Sequence, residues 1–231
     1  MSIRIVVLAA GLGKRMKSAL PKVLHTVGGK SMFVRVLDAA ASLSEKPPIV
    51  IHGKNSDALQ VSVSNRVINW VLQSEQRGTG HAVLQALPYL EDSELVVILC
   101  ADVPLIKTET LQRLVETAKS SQGFSVLTVT LDNPEGYGRI FRKEDGTVEK
   151  IVETVDLEGA DKKIAECNSG IFAIQAGYLK RWLPNLNERN LQNELYLTDC
   201  VLFANEEKVK VVSLSVENPT EVLGVNDRKQ L

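Results

Sequence analysis

Short runs of apolar residues alternate with helical patterns through the first half of the chain. Nearly continuous apolar runs predict four strands buried on both faces, at residues 3–8, 49–52, 67–72 and 95–100. Helices are predicted between and after them, one capped by Ser31, one opening at Thr79 and one capped by Thr108. This β-α-β-α order predicts a mainly parallel sheet with helices on both sides.

The pattern becomes less regular after Gly123. Strands are predicted at residues 124–131, 139–141, 149–153, 170–174 and 209–214, and helices near residues 177–183 and 195–204. We find no internal repeat, low-complexity tract or linker. The sequence therefore predicts one α/β domain over residues 1–231, whose second half wraps over the ligand end of the sheet.

Composition and charge narrow the class of protein. The 231 residues are 44% hydrophobic and 24% charged, which excludes collagenous, fibrous and disordered chains. Lys and Arg number 27 against 28 Asp and Glu, so the surplus of cations that a nucleic-acid partner requires is absent. No stretch approaches the roughly 18 to 20 apolar residues of a membrane span. Three widely spaced cysteines suggest neither a disulfide framework nor a zinc site, which predicts a reduced, cytoplasmic protein without membrane contact.

A glycine loop follows the first strand, at the end of a parallel sheet where ligands bind. Small residues let its backbone N–H groups approach an anion, and four cations lie close behind: Lys14, Arg15, Lys17 and Lys22. A dinucleotide fingerprint would require glycine at Met16, and a Walker loop would require Ser or Thr in place of Arg15. The pattern therefore favours a polyphosphate site of neither type, or a strand-to-helix turn with a solvated basic face.

Two further segments at strand ends carry polar groups. Asp102 directly follows a buried strand, where a carboxylate can hold Mg²⁺ or serve as a turn residue. Gln73, Gln76 and Thr79 follow the third strand, where amides can recognise a base or simply form a polar capping loop. The histidines show no ligand spacing and no paired nucleophile, and are interpreted as structural or surface residues: His25, His52 and His81.

Taken together, these segments resemble a known family. Residues 8–16, Leu-Ala-Ala-Gly-Leu-Gly-Lys-Arg-Met, followed by Pro21-Lys22, are similar to the signature of the sugar-phosphate nucleotidyltransferases. Residues 69–82, 135–140 and 222–228 more narrowly resemble the uridylyltransferase domains of the bacterial bifunctional N-acetylglucosamine-1-phosphate uridyltransferase/glucosamine-1-phosphate acetyltransferases. The resemblance implies a Rossmann-like, mainly parallel mixed sheet of the nucleotide-diphospho-sugar transferase fold.

The resemblance also implies a reaction and the residues that serve it. UTP and N-acetylglucosamine 1-phosphate would give UDP-N-acetylglucosamine, a precursor of peptidoglycan and lipopolysaccharide, and pyrophosphate. The catalytic residues would be Arg15 and Lys22, and Mg²⁺ would lie on Asp102 and Asn226. Residues 1–122 would bind the nucleotide, through Leu8, Ala9, Ala10, Gly11, Gln73, Gln76, Gly78 and Thr79. Residues 123–231 would bind the sugar, through Gly138, Glu153 and Asn168, with Cys100 beside them.

The same roles imply the manner of catalysis. The sugar phosphate is already an anionic nucleophile, so no side-chain base is needed. In-line placement at the α-phosphorus and neutralisation of charge by Mg²⁺ and the two cations would account for the rate.

The sequence departs from the family pattern at four places, and the departures in the sugar pocket bear on the choice of sugar. Lys14 replaces Thr, and residues 100–102, Cys-Ala-Asp, replace Tyr-Gly-Asp, which removes an aromatic contact. Asn193-Glu-Leu replaces Gly-Glu-Tyr, and Asn168-Ser-Gly replaces Asn-Thr-Gly. A nucleotidyltransferase for another sugar or base, and a catalytically silent nucleotide-sugar binding module, therefore remain alternatives.

The resemblance also bears on the extent and assembly of the protein. The family's bifunctional members continue into a left-handed β-helix acetyltransferase domain, whereas this chain has no β-helix repeats and stops at Leu231. We therefore expect no acetyl transfer by this chain. We expect a monomer or weak dimer, and a trimer if a β-helix domain exists in the full protein.

Overall fold

The computed structural model describes residues 1–11, 13–54 and 56–231. The described strands are β1 (Ile3–Ala9), β2 (Thr26–Val27), β3 (Lys30–Ser31), β4 (Ile49–His52), β5 (Asn69–Leu72), β6 (Leu95–Cys100), β7 (Phe124–Thr130), β8 (Arg139–Arg142), β9 (Val148–Val152), β10 (Glu166–Gln175) and β11 (Val212–Ser215). The described helices are α1 (Met32–Ala40), α2 (Asp57–Val61), α3 (Thr79–Leu84), α4 (Thr108–Lys119), α5 (Ala176–Trp182) and α6 (Cys200–Glu206).

A nine-stranded mixed sheet organises the fold. Its main path has the order β11-β7-β10-β6-β1-β4-β5, with β8 and β9 attached through β10. Strand β10 is antiparallel to both β6 and β7, while the other pairings along the path are parallel. Six strands of the path therefore run in one direction and place their carboxyl ends at one edge, where the ligands of such sheets bind. The predicted mainly parallel, mixed α/β sheet is confirmed.

Helices cover both faces of this sheet. On one face, α1 and α4 bury side chains such as Phe33 and Leu111 against β1 and β6. On the other face, α3, α5 and α6 bury residues such as Val83 and Trp182 against the same strands. Burial on both faces explains why these strands are continuous apolar runs, and it holds their carboxyl ends in place. Over the described ranges, no helix is long and apolar enough to cross a membrane.

Of the two helix caps that the sequence predicts, Ser31 and Thr108, the structure confirms one. Ser31 caps α1 as expected, because its Oγ accepts a hydrogen bond of 3.3 Å from the Val34 N–H. The prediction that Thr108 caps α4 is wrong. Lys107 occupies the cap position, and the Thr108 hydroxyl donates instead to the Ala39 carbonyl oxygen at 2.8 Å. The sequence pattern assigned this hydroxyl to capping, but in the structure it forms a hydrogen bond with a neighbouring helix instead.

Element bounds differ most in the second half. Strand β10 begins at Glu166 rather than residue 170, since its first residues pair with β7 and β8 across an irregular step between Asn168 and Phe172. The helix predicted at residues 195–204 is a short 3₁₀ turn, Leu197–Asp199, followed by α6. The strand predicted at residues 209–214 is β11, shifted to Val212–Ser215. The apolar residues before β11 pack into the core instead of extending the ladder.

Candidate active site

Two neighbouring cavities open beside the carboxyl ends of β1 and β6. The first has a volume of about 230 Å³ and is lined by Leu8, Ala9, Ala10, Gly11, Lys22, Val23, Gln73, Gln76, Gly78, Thr79, Ala82, Cys100, Asp102 and Glu194. The second, of about 180 Å³, is lined by Leu8, Thr79, Cys100, Gly136, Tyr137, Gly138, Glu153, Asn168, Ser169, Gly170, Phe172, Leu197 and Thr198. Because Leu8, Thr79 and Cys100 line both, two ligands bound here would touch at this boundary.

The structure brings the predicted site residues together in two groups. The positions expected to bind a nucleotide line the first cavity, and Gly138, Glu153 and Asn168 line the second. Arg15 lies in an exposed 3₁₀ turn and lines neither cavity. Leu12 of the glycine loop lies outside the described residues, as does the side chain of Lys14.

A cluster of one cation and two oxygen ligands lies at the rim of the first cavity. The Lys22 ammonium donates hydrogen bonds to Asp102 Oδ2 and, at 3.2 Å, to Asn226 Oδ1. Both the Lys22 and the Asp102 side chains are largely buried. The carboxylate and amide oxygens therefore converge on one positive charge, which is the arrangement that a bound cation requires.

The C-terminal segment carries Asn226 into this cluster. The Val225 N–H donates to the Asp102 carbonyl oxygen at 2.9 Å, which fixes the segment beside the end of β6. Arg228 Nε then donates to the carbonyl oxygen of Met16 at 2.9 Å, behind the glycine loop. Hydrogen bonds therefore bring the segment around Arg228 to the same site as the loop that follows β1.

Glycine lets the loop lie against Lys22. Gly13 has φ of +59°, and a Cβ at this position would lie 2.5 Å from Lys22 Cβ. A side chain at residue 13 would displace Lys22 from the cluster, which gives this glycine a steric reason beyond its turn conformation.

Two glutamine amides lie along the first cavity. Gln73 is only 3% exposed, and its Nε2 donates to the Gly78 carbonyl oxygen at 3.3 Å and faces His81 Nδ1 at 3.1 Å. Gln76 Nε2 donates to the Ala10 carbonyl oxygen at 3.2 Å, which ties this loop to the glycine loop. The amides are held by backbone groups, so they can present fixed polar atoms to a ligand.

A segment from the second half docks on the loop after β5, residues 73–80, which we call the glutamine loop. Residues 194–197 contact it through three hydrogen bonds: Leu195 N–H to Arg77 O at 2.7 Å, Gly80 N–H to Leu195 O at 2.8 Å and Leu197 N–H to Thr79 Oγ1 at 3.1 Å. Glu194 lines the first cavity and Leu197 lines the second, so this docking gives each cavity part of its wall. Sequence reasoning missed it, together with Tyr137, Glu194 and Thr198, because no local pattern links the two segments.

The docking makes Gly78 sensitive to substitution. Gly78 has φ of +106°, and an added Cβ would lie 2.5 Å from the Leu195 carbonyl oxygen. We expect Gly78→Ala to lower the free energy of unfolding by about 2 kcal/mol, measured by urea denaturation. Gly146→Ala is the control, because Gly146 has φ of +81° with open space around it. Equal losses in the two variants would contradict a steric role for the docked segment.

Glu153 places a carboxyl group on the wall of the second cavity. Glu153 Oε1 accepts a hydrogen bond of 3.0 Å from the Thr198 hydroxyl, and burial raises the pKa of Glu153, with Asp199 and Asp156 adding to the rise. A Cβ on Gly138 would lie 3.3 Å from Glu153 Oε2, so glycine leaves room for the carboxyl group. The site therefore presents a desolvated hydrogen-bonding group to the cavity.

Asn168 lines the second cavity, and Cys100 lines both cavities. Asn168 Oδ1 accepts from the Gly170 N–H at 3.0 Å, which turns its amide nitrogen away from this backbone contact. Burial, with the Asp102 charge second, raises the pKa of the Cys100 thiol to about 12. Cys100 is therefore a neutral, small side chain at the boundary rather than a nucleophile.

Asp199 makes stability depend on pH. Burial, and secondarily the Asp156 carboxylate, raise the pKa of Asp199 to about 6 in the folded protein. The folded state therefore binds this proton more tightly than the unfolded chain, and the resulting stabilisation, present below about pH 4, is lost as the pH rises through 6. We expect Asp199→Asn to raise the free energy of unfolding by about 1 kcal/mol at about pH 7.5, allowing for solvent screening, and little at about pH 4.

Urea denaturation at the two pH values measures this effect. Asp132→Asn is the matched control, since Asp132 is an exposed carboxylate in a turn. An Asp199→Asn protein with the same change in stability at both pH values would show that Asp199 is not desolvated.

The glycine loop, the cluster of Lys22 with two oxygen ligands and the adjoining cavities suit a nucleotidyltransferase, and the comparison with known families shows that class. A family model for the MobA-like NTP transferase domain matches residues 5–165, which is most of the chain. The chain belongs to the family of MobA-like NTP transferase domains.

Individual relatives narrow the comparison further. The chain is 46% identical over 229 residues to the Bifunctional protein GlmU of Marinobacter nauticus, covering 99% of this chain and 50% of that protein. It is also 46% identical over 231 residues to the Bifunctional protein GlmU of Alcanivorax borkumensis, covering 100% and 51%. The chain thus spans about half the length of the curated relatives it matches.

Solved structures show the same fold at low identity. A UDP-glucose pyrophosphorylase in complex with UDP-glucose superposes with a TM-score of 0.77 at 18% identity, covering 94% of this chain and 91% of that one. The inositol-1-phosphate CTP transferase from T. maritima superposes with a TM-score of 0.71 at 16% identity, covering 100% and 91%. The nucleotide-diphospho-sugar transferase fold expected from the sequence is confirmed.

Proposed function

We propose that the chain transfers UMP from UTP to N-acetylglucosamine 1-phosphate, giving UDP-N-acetylglucosamine and pyrophosphate. The observation that carries this proposal is the position of the Lys22, Asp102 and Asn226 cluster at the rim of the first cavity, next to the second. The full-length similarity of the chain to one half of the GlmU proteins supports the same reaction. In this proposal, residues 1–122 and 123–231 work as nucleotide-binding and sugar-binding halves of one domain.

The first cavity holds the nucleotide. The small residues at the end of β1 leave backbone N–H groups free to approach the phosphates, and Gln73, Gln76, Gly78 and Thr79 lie where a base and ribose would be recognised. Arg15, on the exposed turn behind the loop, would reach the phosphates from outside the cavity. In this arrangement the negatively charged phosphates lie beside the Lys22 ammonium, as transfer of a nucleotidyl group requires.

Mg²⁺ fits the pair formed by Asp102 and Asn226. Their side-chain oxygens both face the Lys22 ammonium, so the protein already offers two hard oxygen ligands to one cation. The ion, when bound, supplies neutralisation of charge on the phosphates. Asp102 is held by the rigid end of β6, while Asn226 is held by the hydrogen bond between Val225 and Asp102.

The second cavity holds the acetamido sugar phosphate. Asn168 and Glu153 offer hydrogen-bonding groups to hydroxyl and amide atoms, and Gly138 leaves space beside them. The anionic phosphate oxygen of this substrate attacks the α-phosphorus across the shared boundary, and the bond from the α-phosphorus to the oxygen that bridges to the β-phosphate breaks, which releases pyrophosphate. No side-chain base is needed, because the attacking oxygen carries no proton. Lys22 stabilises the charge that develops on the phosphates during the transfer.

Release of pyrophosphate by the purified chain tests the proposal. We expect release with UTP, N-acetylglucosamine 1-phosphate and Mg²⁺ together, and loss of release with EDTA. Release only with another sugar 1-phosphate or another nucleotide would reassign the substrate and draw attention to Cys100 and Leu195. A folded chain that binds UTP but releases no pyrophosphate with any pair would favour a silent binding module.

The setting of this activity follows from its substrates. UTP and sugar phosphates are cytoplasmic metabolites, so we propose that the chain works in the cytoplasm, with no nucleic-acid or membrane partner. We further propose a monomer or weak dimer for this chain, to be checked by light scattering after size exclusion.

A further inference from the structure

The amide of Gln73 is oriented by its neighbours. The Gly78 carbonyl oxygen can only accept a hydrogen bond, so the Gln73 atom 3.3 Å from it is the donating nitrogen Nε2. The amide oxygen Oε1 of Gln73 therefore points away from the Gly78 carbonyl oxygen. The Gln73 main chain is fixed as well, because its N–H donates to the His52 carbonyl oxygen at 2.8 Å.

A histidine takes the second hydrogen of this amide. His81 lies on α3, and its Nδ1 is 3.1 Å from Gln73 Nε2. Since an amide nitrogen only donates, Nδ1 must accept, and the ring proton of the neutral imidazole lies on Nε2. Both N–H bonds of Gln73 are thus occupied, and the side chain has lost its freedom to flip.

The free atom of this side chain is an acceptor beside the nucleotide cavity. Gln73 is almost fully buried and lines the first cavity. Among the residues that the structure describes, none donates a hydrogen bond to its Oε1. An acceptor on the wall of the cavity without a protein donor can accept a hydrogen bond from a donor that a ligand supplies.

We propose that His81 is a positioning residue for base recognition: with the Gly78 carbonyl it holds Gln73 so that Oε1 selects a base with a ring N–H. This inference rests on the proposed function, in that the base is the one bound in the first cavity. Uracil and thymine carry N3–H, which donates to Oε1. Cytosine carries an unprotonated N3, which would place two acceptors face to face.

Substitution of His81 tests this assignment. His81→Leu removes the acceptor and frees the amide to flip, so we expect the preference for UTP over CTP in kcat/KM to fall by about tenfold. The loss should arise from a higher KM for UTP, with kcat nearly unchanged, because Gln73 does not touch the reacting phosphorus. The reaction with dTTP should lose efficiency in the same proportion, since thymine has the same N3–H.

Two further variants separate positioning from packing. His81→Asn keeps an acceptor, Oδ1, near the place of Nδ1, and should restore most of the preference for UTP. Gln85→Leu is the control at the C-terminal end of the same helix, because among the described residues the Gln85 amide donates to the His81 main-chain oxygen alone, at 3.1 Å. The control should keep the wild-type preference. An unchanged preference in His81→Leu, or equal losses in the Leu and Asn variants, would overturn the proposal.

Binding measurements separate this inference from the proposed reaction. Titration calorimetry of UTP and CTP, without sugar phosphate, should show the same pattern across the variants even if the wild type releases no pyrophosphate. Wild-type protein that binds CTP as well as UTP would overturn the inference. A direct check without substitution is the ¹⁵N NMR signal of His81, where a proton on Nδ1 instead of Nε2 would also overturn it.

Discussion

Lys22→Met is expected to lower kcat by on the order of 10²-fold or more. The ammonium of Lys22 is the one described cation that lies between Asp102 and Asn226 at the rim of the first cavity. Methionine keeps an unbranched side chain of similar length but removes the positive charge, so the stabilisation of the transition-state phosphates that we propose for Lys22 would be lost. Pyrophosphate release at saturating substrates measures the effect, and the KM for the sugar phosphate should change little.

A surface lysine provides the matched control for this variant. Lys30 is exposed and pairs with Asp38 at 2.9 Å, away from both cavities, so Lys30→Met should keep the wild-type rate. A thermal melt of each variant confirms that it is folded. A folded Lys22→Met enzyme with a near-normal kcat would remove Lys22 from the catalytic residues.

Asp102→Asn is expected to lower kcat by on the order of 10³-fold at fixed Mg²⁺, the larger of the two effects. Its carboxylate is the one charged oxygen ligand in the cluster, and a neutral amide binds a divalent cation far less well. Titration of activity with Mg²⁺ should show that the variant needs more metal for its residual rate. Binding of Mn²⁺, followed by electron paramagnetic resonance, should weaken in parallel.

The substitution should leave the fold intact. Asp102 binds the C-terminal segment through its main-chain oxygen, which the change to Asn does not alter. Asp92→Asn is the control, since Asp92 is an exposed carboxylate that pairs with Lys180 at 2.5 Å. Wild-type dependence on Mg²⁺ in Asp102→Asn would show that the metal lies elsewhere.

The first half of the fold was predictable from local pattern. Strands β1, β4 and β6 are buried by helices on both faces, so each is a continuous apolar run that differs from the amphipathic helices around it. The second half was harder, because β8, β9 and β10 follow turns and an irregular register instead of a repeating period. In the second half the predicted types of element agree with the structure, while their predicted bounds differ from the observed ones by several residues.

The candidate site shows the same division. The glycine loop and the glutamine loop each lie directly after a strand, so their place at the ligand edge followed from the strand prediction alone. The roles of Glu153, Asn168 and Asn226 came only from the family resemblance, since no spacing links them to the loops. The interpretation of His81 as a plain structural or surface residue missed its contact with Gln73, which joins two short segments through side chains alone.

The sequence by itself determined the sheet-forming runs, the helices that cover them, the place of the glycine loop after the first strand and the kind of chemistry that the family resemblance implies. Only the tertiary structure decided which of these groups meet. Lys22 contacts Asp102 and Asn226 across separations of 80 and 204 residues, and residues 194–197 dock on the loop that follows β5. Periodicity encodes which face of an element is buried, but contacts between distant elements depend on register, crossover and loop geometry, which no local pattern records.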